Sequence, residues 1–479
     1  MTYTQLAPSS TFVTVPGDRR SEVGRNLAAP VPRALSLVDQ LGLWGNLGVS
    51  LLGFTGAIFV LQPGGPGTPE LSLAAGLTAI GVGTLLGTLP IALAGLPGTR
   101  TGAPAMVLLR GLFGARLSYL PTALNILQCL GWGVFELVTI ATAAHTITPA
   151  MPRWGYVLIA GVATAALAVR PLGFIRILRR YVTAAVMVVL AYLFVQLIRH
   201  PLPAFTHGSW SGYWAATDTV VAAAISFAPL AADYTRHSRS GRATVAGAMI
   251  GYSTTQVLCY VIGLLALVTV ARSPSDIYGA FIALPLGTIG FAILAARELD
   301  QSFANVYSTA TSTQNLRPLW DRRVLAIVIA TLTTAGALWL NIADYENFLV
   351  LLGSVFVPMS AVLIVDFFVV SRGRWDLSGQ ARSRWLMVLP WAAGFVTYQL
   401  INPGYVSWWV TAWSHISQLI GFHPASWMSA SILSFLVAAV ATLLAGWLTA
   451  GARRLRLAGS PEEPPPTPLP SPWSRRTGC

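Results

Sequence analysis

Apolar residues in this chain gather in blocks of roughly 20, the length a helix needs to cross the hydrocarbon core of a bilayer. The blocks recur from Leu37 to Ala450 with short polar stretches between them. Lipid offers a backbone no hydrogen-bond partner, so such blocks must become helices that satisfy themselves. Composition agrees. Of 479 residues 54% are hydrophobic and 10% charged, and the mean hydropathy is +0.64. That is too little charge to coat a large water-soluble surface. The chain reads as an all-α polytopic membrane protein.

Twelve spans follow, at about 37–61, 70–96, 117–146, 154–170, 180–199, 214–236, 243–270, 287–312, 323–341, 347–370, 385–401 and 427–450. The segment 274–285, bounded by Pro274 and Pro285, is too short to cross and reads as an external hairpin or helix. The loops orient the spans. All 30 basic residues are arginine. One set of alternate loops holds Arg100, Arg110 and Arg116, then Arg170 to Arg180, then "TRHSRSGR", "RPLWDRR" and "SRGRWDLSGQARSR"; the opposite set holds Arg153, Arg199 and Arg272. Basic loops mark the cytoplasmic side, so both termini are expected inside, with the chain in the plasma (inner) membrane. This asymmetry accounts for the net charge of +13 without a nucleic-acid partner.

The opening residues are polar, basic and contain proline, with no early apolar core of a cleavable signal. Residues 1–36 and 451–479 read as disordered cytoplasmic tails. The second contains "SPEEPPPTPLPSPWSRR", a composition that could also present a polyproline ligand. Cys129, Cys259 and Cys479 are scattered and give neither a disulfide framework nor metal-ligand spacing.

Two spans look interrupted. The first reads "WGNLGVSLLGFTG", where glycines crowd around Asn46 and Ser50; the sixth reads "AAAISFAPLAAD", with Pro229 in mid-span. Proline removes a helical hydrogen bond and clashes with the preceding turn. Interrupted helices at corresponding positions of two halves point to a transporter's binding site, and their freed backbone groups must face a cavity. Spans one and six run in opposite directions, which fits an inverted repeat of five plus five, 37–199 and 214–370, with two spans appended at 385–450. Close helix packing at the glycines and a simple kink at Pro229 are the alternatives.

The third span places Asn125, Gln128, Trp132 and Glu136 on one face through steps of three and four. An indole beside amide and carboxylate groups suits a flat, polar, hydrogen-bonding ligand. The eighth span carries Arg297, Glu298 and Asp300 at its centre in "ILAARELDQSFANVY", with the next charges at Asp276 and Arg317. Each ionisable group near mid-bilayer costs about 2.5–3.5 kcal/mol on insertion scales. Arg297 and Asp300 are spaced for an i, i+3 pair. Fully ionised, Glu136, Arg297, Glu298 and Asp300 sum to −2, a charge that calls for a proton or a metal cation.

Three stretches resemble the purine–cytosine permeases, or nucleobase–cation symporters: "GAPAMVLLRGLFGARLSYLPTALNILQCLGW", "PLAADYTR" and "FLVLLGSVFVPMSAVLIVDFFV". The resemblance implies a twelve-helix LeuT-like fold and cation-driven uptake of a nucleobase, cytosine or purine type, or of a related heterocycle such as allantoin, hydantoin, uracil or a thiamine precursor. It implies that Trp132 stacks on the substrate, that Glu136 and Asn305 read its polar edge, and that Gln128, Ser50, Ser226 and Phe227 complete the pocket. It further implies a coupling-cation position made by Asn46 and Val49 of the first span with Ala296, Leu299 and Asp300 of the eighth, filled by a proton or sodium, with no other cofactor and a monomeric carrier.

The chain departs from the family pattern twice. "VVAAAISFAP" offers alanines where relatives often have an aromatic before the aspartate matching Asp233, so Phe227 is left as the second wall. "LDQSFAN" puts Asp300 where relatives have a sodium-binding hydroxyl. An enzyme is the first competing class, but HExxH, GxSxG and P-loop patterns are missing, and the six histidines lie in or near loops. A channel would need a continuous polar lining, whereas the polar residues here gather at one depth.

Overall fold

The first apolar block is two helices. In the computed structural model, which describes residues 33–65, 68–169, 183–317 and 320–458, α1 (Leu37–Gly48) begins in a capping box made by Ser36 and Asp39. It ends at an extended Val49. Ser50, also extended, then caps α2 (Leu51–Leu61) by accepting from the Leu52 amide. The two axes differ by 58°.

The sixth block is interrupted as well. Helix α8 (Tyr213–Ile225) gives way at Ser226 and Phe227 to a 3-10 turn, Ala228–Leu230, that carries Pro229; α9 (Ala231–Thr235) completes it. Pro229 sits in the first turn of a new segment, where its missing N–H costs nothing.

The remaining helices, in chain order, are α3 (Leu73–Thr101), α4 (Ala105–Phe113), α5 (Tyr119–Ile147), α6 (Arg153–Val169) and α7 (Thr183–Leu197). After the sixth block come α10 (Gly241–Ala246), a π turn (Gly247–Tyr252) and α11 (Ser253–Thr269), which form one continuous rod. The chain continues through α12 (Ile277–Ala283), α13 (Gly287–Leu316), α14 (Arg322–Trp339), α15 (Tyr345–Val365, extended by a π turn to Val370), α16 (Val388–Ile401), α17 (Ser407–Leu419) and α18 (Ala430–Ala458).

Every block read from the sequence holds a helix. Among the described residues, seven helices are long and apolar enough to cross a membrane, eight with the bent α1/α2 pair. Helices α6, α7 and the 385–401 segment are shorter apolar helices, and α13 carries the charges of "RELD" through its middle. The segment 274–285 contains α12, a helix as expected. Two corrections concern ends: α3 runs on to Thr101 and takes in Arg100, and α18 runs on to Ala458, past the expected tail boundary at 451. The rest of that tail and residues 1–32 lie outside the described residues. Helices α4 and α17 fall in stretches read as loops, the first being nine residues with Arg110 near its end.

The first-span glycines serve close packing as well as the break. A Cβ on Gly48 would lie 2.3 Å from Thr255 Oγ1 and 2.6 Å from the Tyr252 carbonyl. One on Gly56 would lie 2.6 Å from the Tyr260 hydroxyl. Backbone of α1 and α2 therefore lies directly on the π turn and α11. Helix α13 packs along α5 and α3 along α8.

Three carboxylates hold helix ends, the buried Asp218 and Asp366 and the partly buried Asp233. Asp218 accepts from Ser429 Oγ (2.6 Å) and the amides of Ala430 (2.8 Å) and Ser431 (3.2 Å), fixing the start of α18. Asp233 of "PLAADYTR" accepts from the Ala105 amide of "GAPA" at 2.9 Å and so caps α4. At the end of α15, Asp366 accepts from Ser371 Oγ (2.9 Å), Trp375 Nε1 (2.6 Å) and both terminal nitrogens of Arg384 (2.9 and 2.5 Å). Arg384 also donates to the carbonyls of Gly111 and Phe113, each at 2.8 Å, at the end of α4.

Candidate functional site

Where α1 stops, its last carbonyls have no helical partner, and where α2 starts, its first amides have none. Helix α13 supplies both sets from one face. The Arg297 guanidinium donates to the Asn46 carbonyl. Gln301 Nε2 donates to the Leu47 and Val49 carbonyls at 2.9 and 3.2 Å. Glu298 Oε1 accepts from the Leu51 amide at 2.7 Å, and its Oε2 from Ser50 Oγ at 3.4 Å. Positive charge thus meets the negative end of α1, and negative charge meets the positive end of α2.

This cluster is dry. Arg297 and Glu298 are 1% exposed, Glu136 3% and Asp300 8%. Arg297 pairs with Glu298 at 3.8 Å. The expected Arg297–Asp300 pair is therefore corrected: Asp300 Oδ2 instead accepts from Asn46 Nδ2 at 2.8 Å. Spacing along one helix could not reveal this, because the freed carbonyls of α1 compete for the guanidinium. From α5, the Glu136 carboxyl lies against that of Glu298, and its Oε2 has no hydrogen-bond partner among the described residues.

Beside the cluster is a narrow cavity of about 40 Å³, room for a few waters in this closed arrangement. Trp132, Glu136, Ser50, Ser226, Phe227 and Asn305 line it, so the structure brings together six of the seven residues expected at the substrate. Trp132 meets Tyr345 and Phe348 in T-shaped contacts with centroids 5.9 and 5.3 Å apart, so neither ring stacks flat on the indole. Phe227 contacts Tyr252 in the same manner at 5.4 Å. The Asn305 side-chain amide has no protein partner among the described residues.

Gln128 is absent from the lining. Its amide nitrogen donates to the Ser226 carbonyl at 3.0 Å and to Asn125 Oδ1 at 2.8 Å, and it supports the α8 break from behind. The expected cation set also divides. Asn46, Val49 and Asp300 meet at the α1 break, whereas Ala296 is exposed and Leu299 packs with the Val134–Ala337 cluster.

Gln301, Tyr252, Gln256 and Tyr260 line the cavity as well and went unread in the sequence. The signal existed: Arg297, Gln301 and Asn305 are four apart on α13, and Tyr252, Gln256 and Tyr260 repeat that spacing before and along α11.

Two broken helices meeting at a partly enclosed cavity define a membrane carrier of the LeuT fold. The chain belongs to the family of permeases for cytosine/purines, uracil, thiamine and allantoin, whose model matches residues 42–385. It is similar in structure to Mhp1, a nucleobase-cation-symport-1 family transporter solved closed with bromovinylhydantoin bound, with a TM-score of 0.67 at 16% identity over 89% of this chain and 96% of that one. Inward-facing Mhp1 also gives 0.67, at 16% identity over 90% and 96%. MhsT in complex with L-phenylalanine gives 0.50, at 16% identity over 88% and 98%. No curated protein matches the chain.

Proposed function

We propose that this chain is a secondary active transporter that takes up a nucleobase or a related flat heterocycle by alternating access, driven by a cation gradient. One observation carries the reading: an indole, a phenyl ring, a carboxyl and an unpartnered amide converge on one cavity at the joint of two broken helices. The aromatic rings suit the face of a planar ring, while Asn305 and Glu136 suit its polar edge. The proposal includes twelve spans, a five-plus-five inverted repeat with α16 and α18 appended, a plasma-membrane location with both termini inside, and a monomeric carrier. The arginine asymmetry and the opposed directions of the two broken helices support it.

Counterflow in proteoliposomes tests it. Liposomes preloaded with unlabelled cytosine, purine, uracil, hydantoin or allantoin should transiently accumulate the labelled form of the ligand that fits. A channel gives equilibration without overshoot, and a panel with no overshoot for any heterocycle rejects the reading.

A further inference from the structure

The carbonyls freed by the α1 break are the groups a carrier of this architecture would offer to a metal cation. Here they are already engaged. Asn46 O receives the Arg297 guanidinium, and Leu47 O and Val49 O share Gln301 Nε2. Asp300 is occupied by the Asn46 side-chain amide. Donors thus fill a position where a sodium ion would need acceptors turned toward it. The oxygen set does not fit sodium while Arg297 is in place.

Arg297 is suited to stay there. It is among the largest fully buried side chains described, and a guanidinium keeps its charge at any physiological pH. Glu298, the next residue, fastens to the Leu51 amide across the same break, so two consecutive side chains bridge both ends of the interruption. Arg297 Nε and Nη1 make no hydrogen bond among the described residues. The ionisable side chains within reach are Glu298 on α13, Glu136 on α5 and the neutral thiol of Cys259 on α11, with Asp300 tied to the Asn46 side chain at the same break.

We infer that Arg297 is a built-in cation: it holds the α1/α2 joint in the way a bound sodium ion would, so substrate binding by this chain is independent of sodium. This deepens the transporter reading and rests on it for the substrate arm alone. Gating then depends on the guanidinium staying on, or leaving, the Asn46 carbonyl, because a tethered charge cannot dissociate into solution.

The test has one arm that needs no substrate. Thermal unfolding of the purified, ligand-free protein is followed in sodium chloride and in choline chloride at equal ionic strength. A resident sodium site would raise the midpoint in sodium through mass action; the inference expects equal midpoints, and a sodium-specific rise overturns it. In the second arm, the affinity for the heterocycle found by counterflow is measured in both salts. Agreement within about twofold supports the built-in cation, and tightening of about tenfold or more by sodium overturns it, since coupled ligands must raise each other's affinity. A failed counterflow panel removes the transporter reading and leaves the unfolding arm to decide the inference. Arg297→Gln removes the charge. It should lose uptake, with guanidinium ion in the assay restoring part of it; unaltered uptake in this variant also overturns the inference.

Discussion

Single side chains at the cavity make the sharpest claims. Trp132→Ala should weaken substrate binding by about 1–3 kcal/mol, on the scale measured for bases stacked on aromatic residues; isothermal titration reads this directly, and unchanged affinity removes Trp132 from the site. Asn305→Ala should reduce affinity more for the native cargo than for analogues lacking its hydrogen-bonding groups, because a polar site loses most when a partner is missing. Equal losses across the analogue series would place Asn305 in the scaffold. Asp300→Asn should abolish accumulation against a gradient while leaving exchange, which makes Asp300 a coupling residue, and a variant that still concentrates substrate makes it structural. Trp132 and Glu136 were legible because α5 displays them at helical spacing, whereas Asn305, Ser50, Ser226 and Phe227 came from the family resemblance. Gln128 and the Arg297–Asp300 pair were misjudged for a common reason: both lie beside a helix break in another part of the chain, whose free carbonyls take their donors.

Among the elements, the α1/α2 joint depends on shape as much as on hydrogen bonding. Gly48→Ala places a methyl group against Thr255 Oγ1 and the Tyr252 carbonyl. The backbone partner cannot rotate away, so the variant should lose about 1–3 kcal/mol of stability, as overpacked cores do. Thermal or denaturant unfolding checks it, and a stable variant would mean that α11 yields easily. Asp218→Ala should destabilise the start of α18 by a similar amount, roughly 1–3 kcal/mol, since it leaves buried donors at 429–431 without an acceptor. Hydrophobic blocks located the helices because lipid demands them. The pattern was silent on α4 and α17, whose apolar runs are too short to span. The 58° bend was foreshadowed by glycine density, although those glycines also bring α1 and α2 against the π turn and α11.

For the whole molecule, orientation in the membrane is the property to test. Cysteine introduced at exposed Thr206 should react with an impermeant maleimide on intact cells, whereas cysteine at exposed Gln380 should react only after permeabilisation. The reverse pattern would invert the topology drawn from the arginines. Cys129 and Cys259 are buried, and the labelling is done in a Cys479→Ser background so that the tail thiol does not react. The clamp formed by Asp366 and Arg384 has a mechanical meaning at this scale. It fastens the end of α15, in one proposed half, to the end of α4, in the other. Any rocking that keeps this fastening intact must turn about it, like a door on its jamb. The rim beside Arg384 then hardly travels, and segments farthest from it sweep the widest arc.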